Sequence, residues 1–310
     1  MPLRAATAGL AMLAAGAVLG TGCSPAIVSD PAGGPGRIVA VGAENQYADV
    51  ISQIGGKYVS VTAIESNPNT DPHDFEASAG VSEVIGAAQL VVQNGLGYDS
   101  FMNTIEAATP SAKRRVIDVQ SLLHLPDSTP NPHLWYSPAT MPAVAKALAA
   151  SLAALQPAHA SYFRANEAKF DASLQPWRNA IAAFKARYGG TPVATTEPVG
   201  DYLLQAAGTD NLTPFGLQAD IMNGVDLPAQ YVSLEDNLFA DHRVKVFVYN
   251  QQVVDSVTQS FLTAAQHYGI PVVGVYETMP TPGYSYQSWM LAEMRALRSA
   301  VADKISTEKL

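Results

Sequence analysis

The 310-residue chain has little cysteine, little histidine and no excess of positive charge. Cys23 is its only cysteine, so no disulfide can form within the chain. Its 27 acidic and 18 basic residues give a net charge of −9, which argues against a nucleic-acid-binding surface. With 48% hydrophobic and only 15% charged residues, the chain can bury one large core or two modest ones.

The first 22 residues read as an export signal. Arg4 supplies a weakly basic start, and the apolar run AGLAMLAAGAVLG is too short to remain in a bilayer as a spanning helix. Cys23 lies just after this run and Thr21-Gly22, as in a bacterial lipobox whose cysteine is lipidated. Gly20 occupies the position where lipoboxes usually have leucine. We therefore predict a signal peptide over 1–22 and a lipidated Cys23 with a flexible tether over 23–36. An ordinary secretory cleavage site is the alternative.

Beyond the tether, short β-branched segments alternate with stretches of helical periodicity. The apolar segments include RIVAVG, YVSVTAI and LVVQNG early in the chain and PVATT, VKVFVYN and PVVGVY late in it. Strands separated by helices of about ten residues are typical of βαβ units with a parallel sheet. Between the two sets, residues 159–188 carry large apolar side chains at spacings of three, four and seven, which predicts one long helix. Pro176 should kink this helix or break it into two.

The sequence thus predicts an α/β fold of two lobes, each with a central parallel sheet flanked by helices, joined by one long interdomain helix. The predicted boundaries are an N-terminal lobe over 37–157, a linking helix over 158–188 and a C-terminal lobe over 189–310.

Two of the six histidines share a local pattern in which Pro-His is followed two residues later by an aromatic. His73 lies in NTDPHDFEA, in the loop after YVSVTAI, and His133 lies in NPHLWYS, in the loop after RRVIDV. Either histidine could be an ordinary solvated loop residue, but the recurrence at equivalent places favours a shared role as metal ligands. His124, in the loop before His133, is an outside candidate.

Two carboxylates occupy the corresponding places in the second half. Glu197 follows PVATT and Glu277 follows PVVGVY, so four candidates lie just beyond the carboxyl ends of four strands, where open α/β sheets bind ligands. Two imidazoles and two carboxylates suit Zn²⁺ or Mn²⁺, because nitrogen ligands disfavour Ca²⁺ and Mg²⁺ and the absence of thiolate disfavours Cu(I). The alternative is structural: Glu197 would cap the helix that starts near Gly200, and Glu277 would be a turn residue.

The segments TDPHDFEAS, NPHLWYSPATM, TTEPVGDYLLQAAG and GIPVVGVYETMP resemble the ligand segments of the bacterial zinc and manganese solute-binding lipoproteins of ABC transporters, the cluster A-I family. The resemblance extends in order and spacing from about residue 37 to residue 303. It implies a monomer, exported and lipid-anchored at the cell membrane, that holds one ion in a cleft between two lobes and delivers it to an ABC permease without catalysis.

Position by position, the resemblance implies that His73 and His133 are the first two ligands. Glu197 matches the third ligand, which is histidine in typical zinc-specific members and glutamate in many manganese-associated ones. Glu277 stands where aspartate is usual. Because the segment before His133 also lacks a histidine-rich loop, the expected cargo is Zn²⁺ or Mn²⁺, with no choice between them from ligand identity.

Two other functions are compatible with the same residues. A zinc hydrolase could use two histidines and one carboxylate as ligands and the second glutamate as a general base, although the helical His-Glu-x-x-His signature is absent. A lipid-anchored adhesin would need no metal, and chelation would then leave its stability unchanged.

Overall fold

The computed structural model describes residues 28–29 and 36–310. The predicted signal peptide and the lipidation of Cys23 lie outside the described residues, as does most of the predicted tether. Within that tether, Val28 and Ser29 pair with the sheet as a short edge strand. Among the described residues, no helix combines the length and apolarity needed to cross a bilayer.

The first sheet has five strands, of which the four longer ones are parallel and the short edge strand is antiparallel to its neighbour. In spatial order the sheet is β1-β3-β2-β4-β5. Its strands are β1 (Val28–Ser29), β2 (Ile38–Glu44), β3 (Val59–Glu65), β4 (Leu90–Gln93) and β5 (Arg115–Asp118).

Five helices accompany this sheet: α1 (Asn45–Gly55), α2 (Ala79–Ala87), α3 (Ser100–Ala108), the single turn α4 (Val119–Leu122) and α5 (Thr140–Leu155). The crossovers between parallel strands require such helices, and their apolar faces cover the sheet. In α1, for example, Val50, Ile51 and Ile54 are fully buried.

The linking segment consists of two consecutive helices, α6 (Ala160–Ser173) and α7 (Gln175–Tyr188), rather than one continuous helix. Leu174 separates them, and Pro176 lies in the first turn of α7. Proline has no N–H to donate to the carbonyl four residues earlier, which ends the hydrogen-bond ladder of α6 here. Pro176 allows either a kink or a break, and the structure has two separate helices.

The second sheet has four parallel strands in the order β7-β6-β8-β9. These are β6 (Pro192–Thr195), β7 (Asp210–Asn211), β8 (Val246–Asn250) and β9 (Val272–Val275). The accompanying helices are α8 (Asp201–Ala207), α9 (Phe215–Met222), α10 (Ala229–Ala240), α11 (Ser256–His267) and α12 (Tyr286–Asp303). The prediction of a two-sheet α/β fold with parallel strands is therefore confirmed.

One buried apolar cluster extends from the first sheet to the second. Tyr286, at the start of α12, contacts Trp177 of α7 with ring centroids 6.0 Å apart and Phe170 of α6 with ring centroids 6.4 Å apart. Its hydroxyl donates to the Trp135 carbonyl oxygen, 2.7 Å away. The C-terminal helix therefore ties both linking helices and the N-terminal lobe together, which fixes how the two sheets face each other.

Candidate metal centre

His73 lies in a 3₁₀ turn, Pro72–Asp74, in the loop after β3. The side chain of Asp71 accepts a hydrogen bond from the His73 backbone N–H at 2.8 Å, and Pro72 presets the backbone at the start of the turn. The turn therefore gives the imidazole a defined position although the segment is a loop. Its side chain is 24% exposed, so one side of the ring contacts solvent.

His133 is completely buried and its ring is oriented by Asn131. The Asn131 side-chain oxygen accepts from the His133 backbone N–H at 3.0 Å and lies 2.8 Å from ring atom Nδ1. Since that oxygen can only accept, Nδ1 donates to it, and Nε2, which faces Glu277, is available to a metal when it carries no proton. Asn131 also donates to the Pro198 carbonyl oxygen at 2.7 Å, which ties this loop to the segment after β6.

The two histidines meet Glu277 from the other half of the chain. Glu277 Oε2 lies 3.2 Å from His73 Nε2 and 3.1 Å from His133 Nε2. One ligand atom from each of the three residues lies within 4.8 Å of the others, and both His133 and Glu277 are 0% exposed. Two nitrogens and one carboxylate oxygen thus converge at the seam between the two sheets.

Glu197 lies beside this cluster but not in it. The side-chain amide of Asn250, at the end of β8, donates to Glu197 Oε2 at 2.6 Å and to Glu277 Oε1 at 2.8 Å. Glu197 Oε1 is buried and accepts no hydrogen bond. An unpartnered buried carboxylate oxygen is costly, and a cation is one group that would satisfy it. The ligand role of Glu197 remains a prediction.

The electrostatics suit a cation. Burial raises the pKa of Glu197 well above its usual range, and the charge of Glu277 raises it further. Burial also acts to raise the pKa of Glu277, but hydrogen bonds from His133 and His73, formed when the Nε2 atoms that face Glu277 are protonated, outweigh it and hold this pKa below its usual value. Burial lowers the pKa of His133, which favours the neutral ring that a metal requires.

His73 responds differently. Burial acts to lower its pKa, but the hydrogen bond to Glu277 and the Glu277 charge raise it above the ordinary value. A dication would replace the imidazole proton as the partner of Glu277.

Three side chains of the site were missed by the sequence analysis: Tyr98, Asn131 and Asn250. The Tyr98 hydroxyl donates to Glu277 Oε2 at 3.0 Å, and its ring packs against Trp135 with centroids 5.1 Å apart. Asn131 is two residues before His133 and could have been noticed as a local partner. Nothing in the sequence marks Tyr98 or Asn250, because only the tertiary fold brings them to Glu277.

The outside candidate His124 follows α4 and is not a member of the cluster. A cavity of about 440 Å³ opens beside the cluster and is lined by His73 and Tyr98 together with Phe215 and Met222 of α9. It gives the exposed side of His73 a route to solvent. A larger cavity of about 730 Å³, between α10 and α11, contains none of the site residues.

Comparison with known proteins gives one family and one fold. Residues 41–300 match the family model described as "Zinc-uptake complex component A periplasmic". The chain is 29% identical over 137 residues to the manganese-binding lipoprotein MntA of Bacillus subtilis, a match that covers 42% of this chain and 44% of that protein. The chain thus spans less than half the length of this curated relative.

Two solved structures have the same fold. The periplasmic zinc-binding protein TroA from Treponema pallidum gives a TM-score of 0.72 at 18% identity, covering 87% of this chain and all of that one. The solute-binding protein FpvC from Pseudomonas aeruginosa, solved with Mn²⁺, gives a TM-score of 0.70 at 22% identity and covers 86% of this chain and 99% of the other. At these identities the likeness shows the fold alone.

Proposed function

Because this chain belongs to the family described as zinc-uptake complex component A, periplasmic, we propose that it captures a divalent metal ion outside the cytoplasm and delivers it to an ABC permease. The cargo is Zn²⁺ or Mn²⁺, one ion per chain, held between the two sheets. His73, His133, Glu197 and Glu277 are its ligands.

One observation carries this proposal: the convergence of His73 Nε2, His133 Nε2 and a Glu277 oxygen within 4.8 Å across the seam. Buried charges and imidazoles are costly unless they are paired or coordinate a metal. Together with Glu197, the donor set has two nitrogens and two carboxylate oxygens, so it neutralises a dication and matches the preferences of Zn²⁺ and Mn²⁺.

The domain organisation belongs to the same proposal. Residues 1–22 are the signal peptide, lipidated Cys23 and the tether over 23–36 hold a monomer at the membrane surface, and the permease docks on the metal-loaded protein. The lobes are 37–157 and 189–310, with 158–188 as the link.

No catalysis is part of this function. The family is a transport family, and four protein ligands would fill the coordination sphere of a tetrahedral ion and leave no position for a substrate. The hydrolase alternative needs one of the two glutamates to be free of the ion and within reach of a metal-bound water.

The test is metal content and thermal stability of residues 24–310. Elemental mass spectrometry should find about one Zn²⁺ or Mn²⁺ per wild-type chain, and added ion should raise the melting temperature. His73→Ala and Glu197→Ala should lose most of this shift, while His267→Ala, on an exposed part of α11, serves as a control and should keep it.

The alternatives give different outcomes. An unchanged melting temperature of the wild-type protein under both ions and under chelator would contradict the proposal and favour the metal-independent adhesin. Retention of full binding by Glu197→Ala would remove Glu197 from the ligand set and would fit the hydrolase arrangement.

A further inference from the structure

We propose that Asn250 is a positioning residue that leaves each ligand carboxylate one oxygen for the ion, and that it thereby favours four-coordinate Zn²⁺ over Mn²⁺. The inference rests on the proposed function and deepens it, because ligand identity alone leaves the choice of ion open.

The Asn250 amide lies between the two carboxylates. Its two N–H groups are both used, one toward Glu197 Oε2 at 2.6 Å and one toward Glu277 Oε1 at 2.8 Å. A side-chain amide has only two N–H donors, so this group can hold these two carboxylates and nothing else. Each glutamate therefore has one oxygen that faces Asn250 and one that does not.

The orientation of the Asn250 amide is fixed by a hydrogen bond to its side-chain oxygen. Asn250 is 0% exposed, and its side-chain oxygen accepts from the Gln252 backbone N–H at 3.0 Å. Its own backbone N–H donates to the Thr196 hydroxyl at 3.0 Å. Flipping the amide would place its oxygen against two carboxylates and leave the Gln252 N–H unpaired, so the donors stay directed at Glu197 and Glu277.

The two remaining oxygens differ in their surroundings. Glu277 Oε2 is the oxygen that lies 3.1 to 3.2 Å from the two histidine Nε2 atoms. Glu197 Oε1 is buried without any hydrogen-bond partner. With Glu197 as a ligand, as the proposed function has it, one oxygen from each glutamate and one nitrogen from each histidine make four donors.

Four donors of this kind suit one of the two candidate ions better. Zn²⁺ is commonly four-coordinate and tetrahedral with nitrogen and oxygen ligands, whereas Mn²⁺ is typically octahedral and favours oxygen ligands. Bidentate binding by the glutamates would supply the extra oxygens, but the two oxygens that Asn250 holds would then have to bind the ion and accept from the amide at the same time. The residue thus disfavours Mn²⁺ by limiting the number of donors.

The first experiment compares the dissociation constants of Zn²⁺ and Mn²⁺ for wild type and Asn250→Ala by competition with a chelator. We expect the preference for Zn²⁺ over Mn²⁺ to fall about 10-fold in the variant, within the usual range for loss of a residue that orients metal ligands. Gln218→Ala is the matched control, because Gln218 is also a buried amide that donates to a carboxylate, that of Asp201. It should leave the preference unchanged.

A second measurement needs no variant and so does not depend on the folding of Asn250→Ala. The carboxylate stretching bands in the infrared difference spectrum of wild-type protein, with and without Zn²⁺, distinguish one-oxygen from two-oxygen binding. We expect the one-oxygen pattern, with four nitrogen or oxygen neighbours around zinc by X-ray absorption.

The two levels of inference fail separately. If wild-type protein takes up neither ion, the proposed function is wrong. If it binds one ion but the spectra show two-oxygen carboxylates, or folded Asn250→Ala keeps the wild-type preference, the proposed function stands and the role of Asn250 is overturned.

Discussion

At the scale of single residues, the protein buries several carboxyl groups whose surroundings give them different properties. Glu277 faces two imidazoles, which donate to it when protonated, together with the Tyr98 hydroxyl and the Asn250 amide, and its pKa is held low. Glu235 of α10 is equally buried, but its side chain meets only the hydroxyl of Thr213, and burial raises its pKa to about 8. For these two carboxyl groups, the hydrogen-bond donors and charges that face them, set against burial, decide whether the group is charged at neutral pH.

Glu235→Gln tests this directly in the metal-free protein. The folded-state pKa of about 8 lies above the ordinary value of 4.5, so the folded protein binds the proton more tightly than the unfolded chain does. The contribution of Glu235 to stability is thus fully present below the unfolded-state pKa and is lost as pH rises toward 8, at up to about 1.4 kcal/mol per pH unit.

Glutamine cannot titrate, so the variant should gain stability relative to wild type between pH 5 and pH 8, measured by urea unfolding at each pH. Glu83→Gln, on the exposed side of α2, is the control and should show no such trend. A constant difference between Glu235→Gln and wild type across this range would refute a raised pKa.

At the scale of elements, strand ends and helix breaks position the site. Each predicted ligand follows a strand of a parallel sheet: β3 and β5 precede the two histidines, and β6 and β9 precede the two glutamates. The carboxyl ends of parallel strands lie along one edge of a sheet, so ligands from loops there can meet once two such edges face each other. The helices α6, α7 and α12 determine that facing arrangement.

Trp177→Ala tests the contribution of α7. Trp177 is 1% exposed and contacts Tyr286 of α12 edge-on. Removing the indole leaves a cavity, and we expect the free energy of unfolding to fall by about 3–5 kcal/mol. Lys169→Ala, on the exposed face of α6, is the matched control, with an expected change within about 0.5 kcal/mol. A loss below about 1 kcal/mol for Trp177→Ala would show that this contact does not hold the linking helices.

At the scale of the whole molecule, hydrogen bonds join the two lobes around the site. The Asn45 amide donates to the Met279 carbonyl oxygen at 2.8 Å and accepts from the Met279 N–H at 2.9 Å. The Gln252 side chain donates to the Thr70 carbonyl oxygen at 2.6 Å and accepts from the Glu277 N–H at 2.7 Å. Wide opening would break the bonds of Asn45 to Met279 and of Gln252 to Thr70, which cross between the lobes, while the bond of Gln252 to Glu277 lies within the C-terminal lobe.

We therefore expect only small rearrangements between the metal-free and metal-bound protein. Small-angle X-ray scattering curves of residues 24–310 with chelator and with saturating Zn²⁺ should superimpose, while the melting temperature differs because the ion binds the folded state. A clear decrease in the radius of gyration on adding Zn²⁺ would instead indicate closure of separated lobes, as in hinge-bending receptors.

Much of this arrangement was predictable from local sequence. The alternation of β-branched and helical segments gave the two parallel sheets, because side-chain periodicity is a property of neighbouring residues. The positions of His73, Glu197 and Glu277 in the segments after strands followed from the same pattern, whereas α4 lies between β5 and His133. The linking segment was predicted less well, because Pro176 permits either a kink or a break and the surrounding packing selects the break.

The sequence by itself determined which residues could bind a metal and at which ends of which strands they lie. Only the tertiary structure decided that His73, His133 and Glu277 meet at one point. It also decided that the Asn250 amide bridges Glu197 and Glu277, and that Tyr98 donates to Glu277. Asn250 is 53 residues from Glu197 and 27 from Glu277, and Tyr98 is 179 residues from Glu277. Contacts over such separations depend on how complete lobes pack, which no local pattern records.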